Sequence, residues 1–222
     1  MFDIPKDIGR IEMPGRDSRY LKPYLLRALD AVPSAHPLVP QARAVLEAWD
    51  GNEFADAVTS TQLQLGDVIY WVWRDAMKHN TFGDELGAQV ETVDTNVLLH
   101  VLDGASSAVP PHLDYFNGAD PNVVMVRSLE EALSSLASLF GTEDMSRWVV
   151  PREEIVFQHP LGMELGRIPL SNRSTYAQVI VLGKEKSIGY NVIPLGQSGF
   201  IAPDGTPGPH VAEQLPLFRN FQ

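Results

Sequence analysis

The sequence predicts an α+β fold, within the broad α/β class, in which helices come first and strands come last. Apolar residues recur at helical spacing through most of residues 18–140, a pattern typical of packed helices. Between residues 174 and 193, two β-branched segments flank a polar turn, which predicts an antiparallel hairpin. A short amphipathic run near the C-terminus predicts a closing helix. We therefore expect residues 1–150 to be mainly helical and residues 151–222 to hold the hairpin and a C-terminal segment.

The helical part begins after an irregular lead-in over residues 1–17. The segment 63–77 has apolar residues on more than one face, as expected of a helix buried between others. Its Trp71 and Trp73, with Ile69 and Val72, are interpreted as core residues and not as an aromatic cofactor site, because large aromatic side chains dominate protein cores. The predicted helices are residues 18–32, 41–49, 63–77, 92–102 and 129–140.

The fifth helix carries signals at both ends. The run Ser128-Leu-Glu-Glu131 has the form of a capping box, which predicts that Ser128 is the N-cap of a helix beginning at Leu129. Gly141 follows the last apolar residue and predicts a left-handed C-terminal cap. Residues 109–122, rich in Pro, Asp and Asn, are predicted to be a loop.

Composition excludes several classes of protein. The 222 residues carry a formal charge of −11 with a pI near 4.9, and no basic stripe is visible, which argues against a nucleic-acid partner. There is no cysteine, so thiol catalysis, disulfides and cysteine-ligated metals are excluded. No apolar run approaches the ~20 residues needed to span a bilayer, so no membrane partner is expected. The N-terminus lacks the features of a signal peptide, and taken alone the chain would be cytoplasmic.

Two sets of side chains are candidates for chemistry. Ser198 lies in a Gly-Gln-Ser-Gly turn, but a nucleophile elbow requires its second glycine where Phe200 stands. The other set has the residue types of a metal site, but its spacings match no known ligand pattern. We therefore interpret these side chains as polar residues at a helix end and in a surface loop. The members of this set are His100, Asp103, His112 and Asp114.

The remaining polar candidates are weaker. His159 and His210 each stand beside a proline and are interpreted as structural histidines. Glu153 and Glu154 could serve as acid or base, and Asn172-Arg173 could supply an oxyanion group. The Asn-Arg pair is interpreted as a clamp at the entry to a strand, since Arg can bind a carboxylate through two bonds.

Three runs of residues resemble one known family. The tail combines Pro194-Leu-Gly-Gln-Ser-Gly199, then His210, then the Gln214-Leu215 pair on the closing helix. An earlier run is Leu46-Glu-Ala-Trp49-Asp50-Gly51, and a looser match surrounds Trp148. Together they resemble the C-terminal part of the β-chain of the penicillin acylase (penicillin amidase) family, whose members are N-terminal-nucleophile hydrolases with an αββα sandwich.

The resemblance implies where the catalytic groups of such an enzyme would lie. In the family, a serine exposed at the start of the β-chain attacks the amide, and its own α-amino group acts as the base. This chain begins Met1-Phe2, and the family's oxyanion asparagine and its supporting arginine would lie upstream of the matched runs. We therefore expect no catalytic, cofactor-binding or metal-binding residue in this chain. Calcium is a cofactor that the resemblance allows only for the complete protein.

The resulting expectation is a C-terminal portion of a penicillin acylase-like amidase that is inactive alone. Its implied partners are the α-chain, the N-terminal part of the β-chain and a small amide substrate of β-lactam or acyl-homoserine lactone type, in the periplasm or outside the cell. A piece of a larger sheet should also expose an unpaired edge and favour a homodimer. Two alternatives remain open: a non-catalytic binding or scaffold module from the same family, and a small metal-dependent enzyme built on His100 and its neighbours.

Overall fold

In a computed structural model, the described residues are 17–51, 60–158, 164–170, 177–192, 206–208 and 210–220. They fall into two compact units. The helical unit contains residues 17–51 and 64–150, and the second unit contains residues 60–63 and the described residues from 151 onward. The fold is α+β, as predicted, with helices first and short antiparallel strands last.

The helical unit is organised around one long helix. The helices are α1 (Ser18–Ala31), α2 (Val39–Ala48), α3 (Leu65–Leu86), α4 (Thr95–Asp103) and α5 (Pro121–Phe140). Helix α3 packs along α5, and both also contact α2. Trp73 of α3 is fully buried and donates from Nε1 to the Met125 carbonyl of α5 over 3.1 Å. The core interpretation of Trp73 and Ile69 is confirmed, and Trp71 and Val72 are half-buried.

A polar seam also joins α3 to α5. Asn80 donates from its amide nitrogen to Ser128 Oγ over 3.0 Å and to Glu131 Oε2 over 2.7 Å. Ser128 is fully buried and donates in turn to the Val124 carbonyl over 2.8 Å. Hydrogen bonding makes the burial of these polar groups tolerable.

The capping-box prediction at Ser128 is wrong. Helix α5 begins a full two turns earlier, with Pro121 in its first turn and Asp120 as the N-cap, whose carboxylate accepts from Asn122 N over 2.8 Å. A proline in the first turn lacks only an amide that would be unsatisfied there anyway. The predicted end is confirmed, since Gly141 is left-handed at φ 64°.

Other helix bounds differ from the predictions for local reasons. Helix α2 begins at Val39 because Pro40 is compatible with a first turn. Helix α3 starts at Leu65 and continues past Met77 to Leu86, where Gly87 has a positive φ of 53°. The predicted helix over residues 92–102 is observed as α4, which begins three residues later, at Thr95, after a 3-10 turn at Gly87–Thr92.

The second unit contains two hairpins and a helix. The strands are β1 (Glu154–Gln158), β2 (Glu164–Pro169), β3 (Ala177–Leu182) and β4 (Ser187–Val192). The β3–β4 hairpin confirms the prediction, and the β1–β2 hairpin was not predicted. Helix α6 (Val211–Arg219) confirms the closing helix and contacts both β2 and β4. Its Phe218 forms a buried cluster with Ile168 and Val192.

Candidate functional site

The Trp-Asp-Gly run predicted from sequence forms a packing joint, here called the tryptophan joint, between α2 and α3. Trp49 follows the last residue of α2 and lies directly on Gly66 in the first turn of α3. A Cβ atom at position 66 would stand 2.4 Å from Trp49 Cγ, so only glycine allows this approach. The indole also packs on Tyr70, with ring centroids 5.5 Å apart.

The backbone of the same run is held by α1. Ser18 Oγ donates to the Gly51 carbonyl over 3.1 Å, and the Lys22 amino group donates to the Trp49 carbonyl. Lys22 Nζ also lies 5.5 Å from the centre of the Trp49 ring, within the range of a cation–π interaction. Three helices therefore meet at residues 49–51.

Charged groups beside the joint are mutually satisfied. Arg74 NH1 lies 3.3 Å from Asp17 Oδ2, and Arg74 NH2 lies 3.1 Å from Asp75 Oδ1. Burial lowers the pKa of Lys22, and Asp50 offsets part of that effect. Burial first, and the Asp17 carboxylate second, raise the pKa of Tyr70. These contacts suit a structural clamp, because Lys22 and Arg74 are each engaged by neighbouring groups.

The metal-site residues do not converge. The Tyr24 hydroxyl donates to the Asp103 carboxylate, and Asp114 accepts from the amides of Phe116 and Gly118 in its own turn. His112 is exposed in its loop. Across the described ranges, no three His, Asp or Glu side chains are placed to hold a metal ion.

His100 instead pairs with Ser107, which sequence reasoning missed. The distance from His100 Nδ1 to Ser107 Oγ is 2.6 Å, and Ser107 Oγ also accepts from Val109 N over 3.2 Å. Ser107 is 8% exposed and follows a 3-10 turn after α4. A catalytic pair would need an accessible hydroxyl and a third group that orients the imidazole. The contact therefore closes the end of α4.

A second Ser–His contact lies elsewhere in the helical unit. His36 Nδ1 accepts from Leu38 N over 3.3 Å, so the neutral ring carries its proton on Nε2 and donates to Ser134 Oγ over 3.1 Å. A general base would present an unprotonated nitrogen instead. Ser34 Oγ donates to Glu130 Oε1 over 2.5 Å, so the connector between α1 and α2 is fastened to α5.

Of the glutamate pair, Glu154 belongs to an ion cluster on β1–β2. Arg167 NH1 donates to Glu154 Oε2 over 2.8 Å, and Arg167 NH2 donates to Glu164 Oε2 over 2.6 Å. Hydrogen bonding to Arg167 lowers the pKa of Glu164. Glu153 contributes its carbonyl, which accepts from Leu170 N over 2.6 Å. The carboxylates of Glu154 and Glu164, which are held by Arg167, are therefore poor candidates for acid or base catalysis.

The Gln-Leu pair on α6 forms a second joint. A Cβ atom at Gly166 of β2 would stand 2.3 Å from Leu215 Cδ2, so Leu215 lies over a strand position that has no side chain. His210 precedes α6 in a left-handed conformation with φ 78°, and its ring bonds to Glu213. The matched runs thus have the same design, in which a large side chain of one element covers a glycine of another. Nothing in the sequence next to Gly66 or Gly166 predicts that a large side chain covers these glycines.

Several predicted residues lie outside the described residues. These are Ser198, His159, the Asn172-Arg173 pair and the tail from residue 193 to residue 205. Among the helices that the structure describes, none is long and apolar enough to cross a membrane.

Comparisons with known proteins assign this chain to a family. The model of the family "Penicillin amidase" matches residues 16–222. This chain therefore belongs to the penicillin amidase family.

Two relatives illustrate the match. Penicillin G acylase of Escherichia coli is 26% identical over 254 residues, which cover 99% of this chain and 29% of the relative. The solved structure of a thermostable penicillin G acylase from Alcaligenes faecalis superposes with a TM-score of 0.71 at 21% identity, covering 95% of this chain and 43% of the other. The chain thus spans about a third of one relative and less than half of the other.

Proposed function

We propose that this chain is the C-terminal portion of a serine amidase of the penicillin acylase type, and that the rest of that enzyme supplies the catalytic serine. The observation that carries the proposal is the coverage, since nearly all of this chain matches only 29% of Penicillin G acylase. The two joints are consistent with a supporting role because they hold helices and strands together through packing. The whole chain would then be one region of a larger αββα sandwich.

In the complete protein, the reaction would be hydrolysis of the amide bond of an acylated small molecule. The serine at the start of the β-chain would attack the carbonyl carbon, and its α-amino group would take the hydroxyl proton and pass it to the amine that leaves as the amide C–N bond breaks. Water would then cleave the acyl-enzyme to the carboxylic acid and the free serine. The substrate class we propose is a β-lactam amide or an acyl-homoserine lactone. We place the complete enzyme in the periplasm or outside the cell.

The first test is intact mass spectrometry with N-terminal sequencing of the purified native material. We expect a second polypeptide that begins with serine. The mixture should hydrolyse phenylacetyl or long-acyl amides, this chain alone should not, and Ser→Ala at the partner's first residue should abolish turnover. Equal turnover by this chain alone would overturn the proposal. A bound partner without any turnover would favour a non-catalytic scaffold module instead.

A further inference from the structure

We propose that the β3–β4 hairpin is the surface on which this chain receives the remainder of the acylase polypeptide, which covers both faces of the hairpin with apolar side chains. The inference rests on the proposed function and adds the place of contact. Three observations support it: the exposure of the hairpin, the contrast with the other hairpin, and the coverage of the relatives.

The β1–β2 hairpin shows how this chain builds a hairpin with one face in water. On the outer face, Glu154 of β1 and Arg167 of β2 form an ion pair of 2.8 Å. On the inner face, Ile155 is the cross-strand partner of Ile168, which is fully buried in the cluster with Phe218. Charged and apolar residues therefore alternate as expected for a half-buried antiparallel pair.

The β3–β4 hairpin differs because it exposes apolar side chains on both faces, although β4 itself alternates. Ser187, Gly189 and Asn191 lie on one face of β4 and Ile188, Tyr190 and Val192 on the other. Along β3, Ile180 and Leu182 point to one face and are 53% and 82% exposed. Val181 points to the other face opposite Ile188, which is 40% exposed. Apolar residues on both faces are typical of strands that are covered on both sides.

The strands also lack the charged residues and prolines that usually keep an exposed sheet from pairing with another chain. Neither β3 nor β4 contains a charged residue or a proline, and the charges are confined to the turn, at Lys184, Glu185 and Lys186. Soluble proteins normally place lysine, proline or inward-pointing charges on strands that remain open to solvent. Gly189 faces Ile180 across the pair and leaves its flank uncovered. A covering partner explains all of these features.

The size of the relatives favours the remainder of the polypeptide as that partner. The matched region takes up 29% of the curated relative and 43% of the solved chain, so both contain much more polypeptide than this chain spans. A second copy of this chain is the competing occupant, and the experiment separates the two.

The test co-expresses the 222-residue chain with the native remainder of the polypeptide and measures the dissociation constant of the purified complex. The hairpin variant carries Ile180→Glu and Leu182→Glu. A matched control adds the same charge on α5 through Val123→Glu and Leu139→Glu, at side chains that are 47% and 76% exposed. Circular dichroism first establishes that both variants keep their helices.

We expect the hairpin variant to bind the remainder at least about 100-fold more weakly. The reason is that the complex would bury Ile180 and Leu182, and the variant would place a charge at each of these buried positions. The control should bind like the native chain, and residues 177–192 of the native chain should gain protection from hydrogen exchange in the complex. Equal binding by both variants, or a chain dimer through the hairpin that the remainder does not displace, would overturn the inference. Native binding without amide turnover would refute the proposed function and leave this inference standing.

Discussion

At the scale of single residues, the molecule depends on two glycines that large side chains cover. The cases differ in how freely the covering group can move. At Gly66 an added methyl would meet Trp49 at Cβ, Cγ and Cδ2 within 2.7 Å, close to where the side chain joins the backbone. At Gly166 it would meet only the tip of Leu215, which can change its rotamer.

We therefore expect Gly66→Ala to destabilise the helical unit by about 1–3 kcal/mol, the range for overpacking. Gly83→Ala is the matched control, because Gly83 lies in the same helix with no atom within 4 Å of an added Cβ. That change should leave stability unchanged or raise it by about 0.5–1 kcal/mol. Urea unfolding followed by circular dichroism measures both, and similar effects of the two changes would contradict the steric argument.

The ion cluster on β1–β2 predicts a dependence on pH. Because the pKa of Glu164 is lowered in the folded chain, its contribution to stability is present above the ordinary value of 4.5 and is lost as pH falls through the lowered value. Arg167→Gln should reduce stability at neutral pH, and the difference from the native chain should disappear in acid. Denaturant titrations at several pH values test this, with Arg127→Gln, an i,i+4 pair to Glu131 on α5, as a comparison in the other unit. A pH-independent loss would show that Arg167 acts by packing alone.

At the scale of elements, the start of α5 depends on which of two possible N-cap residues, Asp120 or Ser128, caps the helix. Asp120 caps α5, while Ser128 is in its interior and uses its hydroxyl for Asn80 and the Val124 carbonyl. A capping box recognised from residue types alone says nothing about what the helix does upstream of it.

Asp120→Ala should destabilise the first turn of α5 by about 1 kcal/mol, because the Asn122 amide loses its acceptor. Asp120→Asn should retain most of that stability, since its side-chain oxygen can accept the same bond. Hydrogen exchange at residues 122–124 reports the loss locally. Ser128→Ala should leave those amides unaffected, and increased exchange there would restore Ser128 as the start of the helix.

At the scale of the whole molecule, a charge of −11 and two apolar hairpin faces have opposite effects on association. Net repulsion keeps chains apart at neutral pH and vanishes near the pI of about 4.9. We expect the isolated chain to self-associate with rising concentration, more strongly as the pH approaches that value. Light scattering should show this for the native chain and for the Val123→Glu, Leu139→Glu control, and less for the Ile180→Glu, Leu182→Glu variant. A monodisperse monomer at high concentration would contradict it.

The sequence by itself determined the class of fold, the core role of Trp73, the β3–β4 hairpin, the closing helix and the family. Each of these depends on neighbours within a few residues, or on runs long enough to be distinctive. Only the tertiary structure showed that Trp49 covers Gly66 and that Leu215 covers Gly166. It also showed that His100 contacts Ser107 and that Ser128 binds Asn80. Except for His100 and Ser107, which are seven residues apart, those contacts join residues distant in the chain. Glycine, serine and asparagine carry no periodic signal that predicts which partner they will meet.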